Sequence, residues 1–150
     1  MTLVTFEGYC LPSRYIIREC TVTYINGDFD HFRLAYPTDF YPSEADKRTI
    51  EYTTKYLSRI PYHDNSVLPY DTLYTILNKL SQMTLYCAGH QAYRLLKSIL
   101  PYTKIIDVTI QFGFRYPPVL ESVNCGQQHN SRYCSLAKAN CLKDFMQKSS

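Results

Sequence analysis

Apolar and β-branched residues fall in short runs as far as Tyr36 and at helical spacing over most of the chain beyond it. Residues 2–9 (TLVTFEGY) and 14–25 (RYIIRECTVTYI) are rich in the types that fit a pleated, half-buried surface, and residues 29–36 (FDHFRLAY) follow suit. Asn26-Gly27-Asp28, between the last two runs, is a hairpin signal. Three strands joined by short turns predict an antiparallel meander, closed by Pro37 and Pro42.

Ser43-Glu44-Ala45-Asp46 has the form of a helix N-cap with acids in the first turn. Ile50, Thr53, Leu57 and Ile60 follow at helical intervals until Pro61. Residues 62–68 read as a loop, and Leu73, Ile76, Leu77 and Leu80 predict a second helix. A short strand over 84–87 precedes a third helix, entered at Gly89-His90, with Ala92, Leu95, Leu96 and Ile99 on one face and its end near Pro101. Residues 104–110 (KIIDVTI) predict a fifth strand, and Pro117-Pro118 an extended break. The last helix buries Cys134, Ala137, Cys141 and Phe145 and turns Lys138, Lys143 and Asp144 to water. The order β-β-β-α-α-β-α-β-α predicts one α/β domain over residues 1–150, a mixed five-stranded sheet with helices packed on it.

A chain of 150 residues, 45% of them hydrophobic, can bury roughly 70% of its unfolded surface, so it needs neither metal nor disulfide merely to have a core. The net charge of +3 does not by itself mark a nucleic-acid binder, though it leaves room for local basic patches. There is no leader pattern and no apolar run near the ~20 residues that cross a bilayer. An intracellular protein, cytoplasmic or nuclear and without a membrane partner, is the expectation. In that setting the six cysteines read as free thiols, some of them on metal. Cys20, Cys87 and Cys141 sit in apolar segments as small hydrophobes. Nucleotide hydrolysis and serine-type catalysis lack their motifs, the Gly-rich phosphate loop and the nucleophile elbow.

The densest chemistry lies just before the last helix, where Cys125, His129 and Cys134 can put two thiolates and an imidazole on one side of a turn. A fourth ligand would come from far upstream, Glu19 or Glu7, and would tie the last helix to the N-terminal strands. The plainer alternative makes Cys134 a core thiol. His90 reads as a capping or surface residue, and His31 and His63 have no role.

The element order resembles that of ribonuclease H-like nucleases, and three segments resemble the DEDDh 3′–5′ exonucleases, whose pattern is Asp-x-Glu, Asp and His-x4-Asp. Thr5-Phe6-Glu7 stands at the first of these, Gly89-His90-Gln91-Ala92-Tyr93-Arg94 at the second and His129 to Cys134 at the third. Thr5, Arg94 and Cys134 therefore stand where that family has acids, and only Glu7 and His129 are retained. Two-metal hydrolysis needs several carboxylates around two cations about 3.5–4 Å apart, so the resemblance implies a degenerate active site. Residues 15–22 (YIIRECTV), Cys125, His129 and 131–134 (SRYC) are similar to the Maelstrom domain, a branch in which the acids give way to a Glu-Cys-His-Cys zinc site. That resemblance implies a structural Zn2+ on Glu19, Cys125, His129 and Cys134, and a setting in small-RNA (piRNA) or transposon silencing.

Fifteen tyrosines and no tryptophan supply rings that can stack on unpaired bases, or that can simply fill the core. Tyr93, Arg94, Arg132, Tyr133 and Lys138 are the candidate contacts for single-stranded RNA. The alternatives are a protein-interaction module on a dead nuclease fold and a ribonuclease that uses other residues.

Overall fold

β1 (Thr2–Cys10), β2 (Tyr15–Thr23) and β3 (Phe29–Arg33) form the expected antiparallel meander in the computed structural model, which describes residues 1–57, 67–121, 123 and 133–148. The pairing sets Glu7 opposite Glu19, Glu19 opposite Arg33, and Thr21 opposite His31. Past Glu7 the register slips, so that Gly8 faces Ile17. Only glycine fits there, because a Cβ would overlap the Ile16 carbonyl oxygen. The bulge gives β2 an extra residue, Arg18, which is buried, donates from Nε to the Leu34 carbonyl at 2.9 Å and lies 4.5 Å from the ring centre of Tyr36.

Two short strands, β4 (Leu85–Cys87) and β5 (Ile105–Asp107), extend the sheet in parallel from β1, giving the order β3-β2-β1-β4-β5. The result is a mixed five-stranded sheet. Alternation along the strands then sorts the two faces. Val4, Phe6, Cys20, Val22 and Leu85 face a core shared with Ile50 of α1 (Glu44–Tyr52), Leu73 and Leu77 of α2 (Thr72–Asn78) and Leu96 of α3 (His90–Ile99). Leu3, on the other face, packs with Val108 and with Leu142 and Met146 of α5 (Ser135–Lys148).

Local signals hold up well at α1. Ser43 Oγ accepts from the Asp46 amide at 3.0 Å while the Asp46 carboxylate accepts from the Ser43 amide at 3.1 Å, a closed capping box. After Tyr52 the backbone widens into a π-helical turn, Thr53–Leu57, and Ile60 and Pro61 lie outside the described residues. Cys20 and Cys87 are buried as expected; burial pushes the Cys87 thiol up to about 12 and that of Cys20 well above its ordinary range.

Three expectations are corrected. The strand expected over 104–110 ends at Asp107, and Val108–Phe112 forms a short helix, α4. The Asp107 carboxylate caps that turn by accepting from the Thr109 amide at 3.0 Å, and Gly113 closes it in the left-handed conformation at φ 69°. Cap and stop override the β propensity of the Val-Thr-Ile run. On α5, Ala137 is buried, but Cys141 and Phe145 are only half-buried, and Leu136, Ala139, Leu142 and Met146 complete the stripe. Lys138 is only partly open to water. It bends onto the polar face of the sheet and pairs with Glu7.

Candidate functional site

The sheet face under α5 is polar because Thr5 and Glu7 of β1, Glu19 and Thr21 of β2, and His31 and Arg33 of β3 alternate onto it at matched register. Helix α5 meets this face with its first turn. The Ser135 amide donates to Glu19 Oε1 at 2.8 Å, and Thr5 Oγ1 donates to the Ser135 carbonyl at 2.7 Å. Ser135 Oγ and Thr21 Oγ1 are 2.8 Å apart, and His31 Nδ1 lies 2.7 Å from Thr21 Oγ1 and 3.3 Å from Ser135 Oγ. Lys138 Nζ forms an ion pair with Glu7 Oε2 and stands 5.6 Å from the ring centre of Tyr116. Arg33 Nε is 3.8 Å from Glu19 Oε2.

Among the described residues, two carboxylates are thus held under the helix with Lys138 and Arg33 beside them. Burial raises the Glu7 pKa above its ordinary 4.5, against the pull of Lys138. The Glu19 carboxyl is likewise raised by burial, against the Ser135 amide and Arg33. Both shifts have the sign expected where desolvation outweighs the local partners. Tyr116 is shifted upward too, by burial first and then by Cys141 and Glu7.

The Ser135–His31–Glu19 arrangement superficially has the parts of a nucleophilic triad. Ser135 and Glu19 have no exposed surface, however, and Ser135 sits inside the sheet–helix contact. A nucleophile that no substrate can reach is structural, and these bonds serve to seat α5. Its hydroxyl, amide and carbonyl all have partners across the interface, which satisfies backbone groups that a helix start leaves open.

Of the four residues expected to hold a metal, Glu19 and Cys134 lie among the described residues. Glu19 accepts from the amide of Ser135, the residue after Cys134, and Cys134 is buried. Cys125 and His129 lie outside the described residues. Among the described residues no three His, Cys, Asp or Glu side chains form a metal cluster. The donors fit zinc by chemistry: carboxylate, imidazole and two thiolates make a closed tetrahedral set. Both candidate acids have partners, Glu7 in Lys138 and Glu19 in the Ser135 amide and Arg33.

The positions expected to stand where a nuclease has its active site divide. Thr5, Glu7 and Cys134 gather at the start of α5, Arg94 is on α3 and His129 falls outside the described residues. The RNA-contact candidates divide as well. Tyr133 is half-buried immediately before α5, and Arg132 lies outside the described residues. Helix α3 packs on the opposite face, with Tyr93 half-buried against the large core and Arg94 exposed. Lys138 has its charge balanced by Glu7.

A second feature, missed in the sequence, lies at the exposed end of α1 and in the π-helical turn after it. Tyr52 and Tyr56 are 57% and 56% exposed, their ring centres are 5.2 Å apart, and Lys55 Nζ is 5.1 Å from the centre of the Tyr56 ring. A hollow of about 660 Å³ beside them is lined by Lys47, Ile50, Glu51, Thr54 and Lys55. Their four-residue spacing on a helix is the signal that could have found them. His31, Arg33 and Thr21 were also missed, although Glu19 and Arg33, like Thr21 and His31, lie equally far from Asn26 at the hairpin turn, and so had to face each other.

No family model matches the chain, and neither a curated protein nor a solved structure is significantly similar to it.

Proposed function

We propose that this protein is a catalytically degenerate, ribonuclease H-like domain of the Maelstrom type that binds single-stranded RNA. The fold reading is supported by the hairpin-linked triplet running into parallel strands separated by helices. Degeneracy is supported by Thr5 and Glu7, whose side chains are spent on Ser135 and Lys138. Zinc, when bound, would supply a tetrahedral cross-link, and Glu19, Cys125, His129 and Cys134 would hold it.

The observation that carries RNA binding is the exposed Tyr52–Tyr56 pair with Lys55 beside it and Arg48 on the same outward side of α1. Rings of this kind take unpaired bases by stacking, at about 1–3 kcal/mol per base, while flanking cations meet phosphates. Tyr93 and Arg94 of α3, on the face of the sheet that α1 also covers, remain candidate contacts of the same strand, and Arg132 and Tyr133 remain candidates before α5. The role in small-RNA or transposon silencing follows from the family resemblance. Fluorescence anisotropy with a labelled oligouridine tests the reading. Binding should weaken as salt rises, and Tyr52→Ala with Tyr56→Ala should lower affinity about tenfold or more. No salt-sensitive binding, or binding indifferent to both tyrosines, would sink it.

The second reading, a protein-interaction module, is favoured by Ile110 and Phe112 of α4, which are 78% and 48% exposed. A stable homo- or hetero-complex without RNA affinity would put it first. RNA cleavage abolished by a chelator would instead support the ribonuclease reading.

A further inference from the structure

The end of the sheet where β1 begins gathers exposed apolar side chains from separate parts of the chain: Ile25, Phe29, Met83 and Tyr102. Topology sets them in a row. Phe29 opens β3 opposite Thr23, and Ile25 follows two residues after Thr23, which pairs with Leu3 near the start of β1. Met83, just before β4, accepts on its sulfur from Thr2 Oγ1 at 3.5 Å. The turn that holds Tyr102 is tied to the one before β4 by Thr103 Oγ1, which donates to the Ser81 carbonyl at 2.8 Å. The row therefore crosses the sheet from β3 to β5, roughly 19 Å at ordinary strand spacing. Tyr102 is fully exposed and Ile25 78% exposed. Apolar side chains scattered singly need no explanation, but a line of them marks a contact surface.

Charge at the two ends of the row is opposite. Asp28 and Asp30 stand at the β3 end, where they accept from the neutral Asn26 and Tyr24 side chains. Lys104 immediately precedes β5, and Lys79 ends α2 two residues before Ser81. All four are exposed, and none is in an ion pair among the described residues. Asp30 pairs with Val22, which faces the core that α2 covers, so Asp30 and Lys79 also lie on the same side of the sheet.

We infer that this end of the sheet is the contact between two copies of the chain, docked end to end about a two-fold axis that runs along the sheet normal through β1. Such an isologous contact sets the row of one copy against the reversed row of the other. Ile25 and Phe29 then meet Tyr102 and Met83 of the second copy, while Asp28 and Asp30 face its Lys104 and Lys79. A row running in the same direction in both copies would put like charges together, which specific interfaces avoid. The surface is thus complementary to itself in both apolar position and charge. The tyrosine pair of the RNA reading lies toward the other end of the sheet, where Thr54 Oγ1 is 3.1 Å from the hydroxyl of Tyr9, near the end of β1. Dimer formation leaves that pair open, and the inference does not depend on RNA or on zinc.

Sedimentation velocity of the full chain tests this, on protein free of nucleic acid and under reducing conditions that exclude a bond through the exposed Cys10. Wild type should show a reversible monomer–dimer equilibrium in the micromolar range that weakens as salt rises. Asp28→Lys with Asp30→Lys should weaken it about tenfold or more, and so should Lys79→Glu with Lys104→Glu. Mixing the two variants should restore a dimer, because each supplies the charge that the other lacks at both ends of the row. The changed positions are all exposed, so the variants keep the fold. Tyr102→Ser should weaken the wild-type dimer as well. A wild type that stays monomeric up to millimolar concentration overturns the inference. So does a dimer indifferent to either charge reversal, or one that mixing does not restore. Oligouridine binding measured on the same samples keeps the readings apart: a monomer that binds it sinks this inference alone, and a dimer that does not bind it sinks the RNA reading alone.

Discussion

Arg33 illustrates how much a single side chain carries when it is buried beside an acid. Its side chain is 6% exposed, and that of Glu19, 3.8 Å away, is fully buried. Breaking a buried pair from one side leaves a desolvated charge behind, at about 3–5 kcal/mol. Arg33→Met should lower unfolding free energy by about that much in urea titrations. Replacing Arg33 and Glu19 together, by Met and Gln, should cost clearly less than the sum of the two single changes. Additive losses would mean that the pair is not coupled.

Among the elements, α1 is the one whose start is most fully built from local chemistry. Burial works to raise the Asp46 pKa, but hydrogen bonds from the Ser13 side chain, the Ser43 amide and the Ser13 amide outweigh it and hold the carboxyl below its ordinary 3.8. A carboxyl whose pKa is depressed by folding stabilises the protein above its unfolded value and loses that contribution as pH falls through the folded one. Wild type should therefore exceed Asp46→Asn in Tm at neutral pH, and the gap should close below about pH 3.8. A gap independent of pH would show that the capping box works without its charge. Asp107 plays a comparable part at α4, and it also accepts from the Gly89 amide at 2.9 Å, so one carboxylate ties the end of β5 to the turn before α3.

Across the molecule, the sheet separates two kinds of surface. Three helices cover a large apolar core on one face, and the last helix covers a face with a polar half. A metal on Glu19 and Cys134 would join β2 to the approach to α5. Mass spectrometry should find one zinc per wild-type chain, lost in Cys125→Ser and in Glu19→Gln, with a lower Tm in both because metal-binding energy at such a site is folding energy. Well under one zinc per wild-type chain would defeat it. In that case Cys134 is a core thiol, packed with Leu120, Leu136 and Ala137.

Element order, the α1 cap and the meander could be read directly from residue patterns, because each depends on neighbours within a few positions. The pairing of Glu19 with Arg33 was also available there, since a hairpin turn sets the register of its two strands. Local propensity misled at Val108–Phe112, where an aspartate cap and a glycine stop outcompeted β-branched residues. The inward turn of Lys138 could not be read at all. Its helical position is compatible with water, and nothing nearby in sequence says that the surface it meets holds Glu7. That contact exists because α5 docks on strands more than a hundred residues earlier, with Ser135 and Glu19 116 positions apart. Periodicity states which side of an element is polar, whereas the packing of distant elements determines which polar sides meet and which charges must balance.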